Sequence, residues 1–218
     1  MNPNQQRRQD TDRDTPGDRN NVARLSESRQ GVQWLVFCGL ISAGVGARLL
    51  CRDLPNFAPV AALALFAGYF FSSRLLAIMV PVLVMVISDF TLGTYNPGLM
   101  IVVYSMLALP VMMRTVLRRH LNFSPRQPRA MAFSSLGIVG CSLLASIAFF
   151  LVTNLAVWWQ ATWYTANLAG LAQCYTQALP FFRYTMGGDL LFTIVLFGGH
   201  ALVMARSLEL PGVSVEQS

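Results

Sequence analysis

The sequence predicts an all-α fold: a polytopic membrane protein built as a bundle of six transmembrane helices. Three observations carry that expectation. Hydrophobic residues make up 54% of the 218-residue chain and charged residues only 12%. A soluble domain of this size needs more charge to cover its surface, so the apolar excess must face lipid. The apolar residues also fall into six runs, at 32–50, 56–71, 75–90, 97–113, 131–157 and 186–205. Finally, all 16 basic residues are arginines, and they cluster in the tails and in alternate loops. A net charge of +6 spread in this way describes membrane topology, not the basic face of a nucleic-acid-binding domain.

Residues 1–30 are rich in Asn, Gln, Asp and Arg and nearly free of large apolar side chains. Such a segment buries too little surface to fold alone, and it is expected to be a disordered cytoplasmic tail. The first apolar run starts too late and is too long for a cleavable signal peptide. A helix crosses the hydrocarbon core with about 20 residues. The first, fifth and sixth runs meet that length, whereas the second, third and fourth are short and depend on their neighbours for shielding.

Orientation follows from arginine placement. With the N-terminus inside, thirteen arginines face the cytoplasm and three, Arg48, Arg52 and Arg183, face outward. The loop RRHLNFSPRQPR between the fourth and fifth runs is the strongest single determinant. Both termini are then cytoplasmic, residues 207–218 form a second tail, and the expected location is a bacterial cytoplasmic (inner) membrane. Between the fifth and sixth runs, Trp158, Trp159, Trp163 and Tyr164 form an interfacial aromatic cluster. Leu168, Leu171, Ala172, Tyr175 and Leu179 then recur at helical spacing. They predict a short outer interfacial helix near 166–179, closed by Pro180.

Small residues let membrane helices approach each other. Gly39, Ala43 and Ala47 form such a stripe on the first helix and are the expected docking face for a partner protein. Gly137, Cys141 and Ala145 repeat the device on the fifth. Asp89 and Asp189 are the two acids at or within the spans, where a carboxylate is costly and by default functional. On the expected topology both lie at the outer end of the bundle. Asn56, Ser88, Asn96, Asn154, Gln173, Arg48, Arg52, Tyr95 and Tyr175 map to the same level. That asymmetry predicts an outward-facing pocket in which Asn56, Asp89, Asn96, Asn154 and Asp189 supply polar contacts and Trp158, Trp163 and Tyr175 cover a ligand. A capping role for Asp89 and Asp189, or ion pairs with Arg48 or Arg52, would give the same pattern. No catalytic motif, cofactor fingerprint or metal-ligand spacing appears, and the four cysteines include no CxxC pair, although Cys51 and Cys174 share the outer side.

The stretch Pro55-Asn56-Phe57-Ala58-Pro59-Val60-Ala61-Ala62-Leu63-Ala64-Leu65-Phe66-Ala67-Gly68 resembles a motif of an uncharacterised family of small bacterial membrane proteins. Ser88-Asp89 with Gly93, Ala178-Leu179-Pro180-Phe181-Phe182, and Gly188-Asp189 look like the same family, over residues 48–200. More loosely, the chain resembles the substrate-binding S components of energy-coupling-factor vitamin transporters in size, helix number and the stripe on helix one. That resemblance implies capture of a vitamin-like nutrient at the outer face. It also implies docking on a transmembrane coupling protein driven by cytoplasmic ATPases. The alternatives are an ion-coupled transporter or channel using Asp89 and Asp189, and a non-transporting membrane scaffold.

Overall fold

In a computed structural model, residues 16–53, 59–93, 96–120 and 128–209 are described, and they form helices and turns with no strand among them. The helices are α1 Pro16–Leu50, α2 Val60–Phe70, α3 Arg74–Leu92, α4 Pro97–Met112, the short α5 Arg114–His120, α6 Pro128–Gln160 and α7 Leu168–Glu209. The chain divides into two compact units, residues 1–39 and residues 40–218. Within the first, Trp34 and Phe37 meet edge to face at 5.7 Å.

The second unit is organised around α2. All nine residues from Val60 to Gly68 are buried, and the helix is enclosed by α3, α4, α6 and α7. At 11 residues it is about 16 Å long, too short to cross a bilayer by itself. Within the expected run at 56–71 the described helix is this short central one, and residues 56–58 lie outside the described residues. Neighbouring helices surround it, so it is shielded as the shortness of the run requires. Phe66 packs edge to face on Phe197 of α7, with centroids 5.2 Å apart. Gly68 admits the backbone of α4, since a Cβ there would stand 3.2 Å from the Val111 Cα.

The surrounding helices show why each run starts and stops where it does. The Ser73 hydroxyl accepts from the Leu76 amide to cap α3. Gly93 ends α3 at φ 100°, a left-handed conformation that favours glycine. Asn96 caps α4, with Pro97 next to it in the first turn. At the start of α7, the Asn167 side chain accepts from the Gly170 amide at 2.8 Å. Four described stretches, Ser26–Leu50, Arg74–Leu92, Leu136–Gln160 and Leu168–Arg206, are long and apolar enough to cross a membrane. With α2 and the 16-residue α4 they make the chain a multi-pass membrane protein. Phe90, Ile101, Leu136, Ile194 and Leu202 are among the large apolar side chains left facing outward, as a lipid-facing surface requires.

Two expectations about helix limits are corrected. The helix expected to stop at Pro180, and the one expected to begin at 186, are a single 42-residue α7 with Pro180 in its interior. A proline removes one N–H and crowds the carbonyl four residues back, but the extensive α6–α7 contact holds the helix through it. At about 63 Å, α7 is about twice the thickness of a hydrocarbon core. Helix α1 starts at Pro16, inside the stretch expected to be without structure. Cys51 and Cys174 are both free thiols.

Candidate functional site

The ends of α2 define two poles. At its N-terminus Pro59 offers no side-chain cap, so the first amides need another partner. Asp189, from the middle of α7, supplies it: Oδ1 accepts from the Ala62 amide at 3.2 Å. Oδ2 accepts from Ser146 Oγ of α6 at 2.8 Å. A carboxylate at the positive end of a helix is electrostatically well placed. One helical turn further along α7, Thr193 Oγ1 lies 3.1 Å from Ser142 Oγ. Asp189 thus ties α2, α6 and α7 together through a polar seam.

The other acid is held differently. Asp89 Oδ1 lies 2.9 Å from Arg48 Nη2 of α1, and Oδ2 accepts from the Tyr104 hydroxyl of α4 at 2.9 Å. Arg48 Nη1 also donates to Ser88 Oγ at 2.8 Å. The Arg48 side chain is 15% exposed and that of Asp89 is 4% exposed. The ion pair is therefore buried and satisfied on both sides, as such pairs must be.

At the opposite pole, α5 caps the negative end of α2. Arg118 Nη2 donates to the carbonyls of Tyr69 at 2.9 Å and Phe71 at 2.6 Å. Arg114 Nη2 donates to the Ser72 carbonyl at 2.8 Å. Desolvation, with the Arg114 charge beside it, holds the Arg118 guanidinium below its ordinary value. The central helix is thus clamped by an acid at one end and arginines at the other.

A cavity of about 590 Å³ opens at the Asp189 pole. Its wall combines Arg48, Arg52, Thr153, Asn154, Thr185 and Asp189 with apolar residues from α2, α3, α4 and α6, among them Leu107, Phe149 and Val157. Of the residues expected to bind a ligand, Asn154 and Asp189 line this cavity together. Asp89 stands behind Arg48, and its carboxylate is occupied by Arg48 and Tyr104. Asn96 spends its side-chain oxygen on the amides of Gly98 and Leu99. Trp158 donates to the Thr165 carbonyl at 3.0 Å and steadies the α6–α7 turn. Tyr175 donates to the Leu151 carbonyl at 2.7 Å and fastens α7 to α6. Trp163 is 76% exposed. The three aromatics expected as a lid do not belong to the cavity wall. Asn56 and Tyr95 lie outside the described residues.

The family is decided by a match that runs nearly the length of the chain. A family of unknown function, DUF6580, matches residues 28–211. The chain belongs to this family. No curated protein and no solved structure matches it.

On the expected docking stripe, Gly39 and Ala43 are exposed and Ala47 is half-buried. The close internal approach is made by Gly44, where a Cβ would come 2.6 Å from Leu63 Cδ1 and 2.7 Å from Val84 Cγ2. Sequence reasoning missed Ser142, Ser146 and Thr193, and also Tyr104. The signal was present for the first three: Ser142 and Ser146, like Asp189 and Thr193, are polar residues at four-residue spacing within apolar runs. Each such pair shares one face of its helix. Among the described residues no group of three or more His, Cys, Asp or Glu converges to hold a metal ion.

Proposed function

We propose that this protein is a membrane-embedded substrate-binding subunit that captures a small, vitamin-like nutrient and works with a separate energising module. The observation that carries this reading is the cavity at the Asp189 pole. Its volume lies within the range of small-molecule sites, and its wall is mainly apolar with a few polar groups from several helices. Asn154 and Asp189 are the expected residues that line it, Asp189 with both oxygens already engaged by the protein, and Arg48, Arg52, Thr153 and Thr185 stand beside them. The role is binding, not catalysis. The arginine asymmetry supports a cavity facing outward from a bacterial cytoplasmic membrane, with both termini in the cytoplasm. The outward-facing Gly39 and Ala43 support docking of a transmembrane coupling protein on α1.

The engagement of both acids favours binding over ion coupling. An ion site needs carboxylate oxygens free to exchange partners, and Asp89 and Asp189 hold two protein donors each. The full chain, purified in lipid nanodiscs, should melt at a higher temperature with one member of a panel of vitamins and their precursors. A panel-wide absence of stabilisation would sink the reading.

A further inference from the structure

The charges around the cavity differ sharply in accessibility. Asp189 is 1% exposed and Asp89 3% exposed, and every carboxylate oxygen of the two accepts a protein hydrogen bond. Asp189 is further offset by the positive end of α2. The arginines are situated differently. Arg52 is 70% exposed at the cavity wall, and its neighbour Asp53 stands 3.9 Å away and is 92% exposed. So open a pair holds its partner weakly. Arg48 is fixed by Asp89, Ser88 and the Met85 sulfur, which engage Nη1 and part of Nη2 of a guanidinium with five N–H groups, and it too lines the cavity. Val60, Ala61 and Leu99, from the first turns of α2 and α4, share the same wall, the nearby amides being taken by Asp189 and Asn96. Facing them are Leu107, Phe149 and Val157.

We infer that the cavity takes an anion carried on an apolar body, a carboxylate or a phosphate ester, with Arg48 as the fixed clamp and Arg52 as the mobile one. The inference rests on the cavity being a ligand site and names the chemistry it selects. Arg48 is oriented from behind by Asp89, whose other oxygen is held by Tyr104 on α4. A planar guanidinium held in this way keeps a fixed orientation and offers its remaining N–H groups to an anion. With its acids buried and internally paired and Arg52 open, the cavity repels an ammonium and attracts an anion.

The test uses the full chain in nanodiscs of zwitterionic lipid with four probes on one naphthalene ring. These are 2-naphthoate, 2-naphthyl phosphate, 2-naphthylmethylamine and 2-naphthalenemethanol, with binding followed by naphthalene fluorescence and by melting temperature. Saturable binding of one or both anions, weakening as salt is raised, with the amine and the alcohol inert, is the expected result; which anion binds separates carboxylate from phosphate. Arg52→Gln should weaken anion binding roughly tenfold, the order of one charge-assisted hydrogen bond. Arg52→Lys should restore most of it. Arg52 is the residue to vary, because Arg48→Gln strands Asp89 and threatens the fold itself. Amine or alcohol binding as tight as naphthoate overturns the charge assignment and leaves the small-molecule reading standing. So does naphthoate binding that is indifferent to Arg52→Gln. Binding of none of the four overturns it as well, and the vitamin panel then decides alone whether the cavity binds anything.

Discussion

Asp89 and Asp189 look alike in sequence, each an acid within or beside an apolar run, yet their surroundings assign them different work. Asp89 belongs to an ion pair whose removal from either side leaves a buried charge behind. Asp89→Ala should therefore cost about 3 kcal/mol or more in a thermal or denaturant melt of the purified protein. Tyr104→Phe, which deletes one hydrogen bond to the same carboxylate, should cost about 1.5 kcal/mol. Replacing the whole pair with Arg48→Met and Asp89→Leu should recover much of the Asp89→Ala loss, because no charge remains uncompensated. A double variant as unstable as the single one would show that the pair is not an isolated electrostatic unit. Asp189 is instead a helix cap from a distance, made by a side chain 127 residues from the amide it serves. Its partner could not be read from the sequence, since capping rules look only at neighbouring residues. Its abnormal position could: an acid within the sixth run demands a buried partner, and Ser146 and the end of α2 are that partner.

The helices were legible where hydropathy decides and illegible where tertiary contact overrides a local rule. Six apolar runs give six apolar helices, and the turn residues Ser73, Gly93, Asn96 and Pro97 sit at helix ends as their chemistry requires. Pro180 misleads because its local cost is real, but α7 meets that cost by packing along α6. The second run misleads in the other direction, since hydropathy does not distinguish a helix facing lipid from one enclosed by protein. On α1 the sequence identified small residues without telling which face looks inward. Gly44 is that inward face, with buried Leu63 and Val84 pressed against the place a Cβ would occupy. Gly44→Ala should therefore destabilise the purified protein by about 1–3 kcal/mol, the usual cost of overpacking. Ala43→Leu, one residue away and exposed, should leave the melting temperature unchanged. Ala43→Leu should instead abolish co-purification of a coupling protein, so the two variants separate packing from docking. Equal melting shifts at both positions would contradict the assignment of faces.

At the scale of the molecule, the two clamps on α2 give the bundle a polarity that hydropathy alone does not contain. Its N-terminal pole carries the acid Asp189 and the cavity, and its C-terminal pole carries Arg114 and Arg118. The arrangement follows the helix dipole, with an acid at the positive end and arginines at the negative end. The same arginines lie in the stretch that the positive-inside rule places in the cytoplasm. On the proposed topology the same arginines would serve both the central helix and the direction of insertion, and the cavity is expected to face away from the cytoplasm. The prediction is checked in intact cells with single cysteines introduced into a chain whose four native cysteines have been replaced by serine or alanine. Thr162→Cys, in the exposed turn between α6 and α7 at the cavity pole, should react with a membrane-impermeant maleimide added outside. Arg206→Cys, near the end of α7 at the other pole, should react only after the membrane is opened. The reverse pattern would place the cavity on the cytoplasmic side and remove the argument for uptake, while leaving the clamped central helix as it stands.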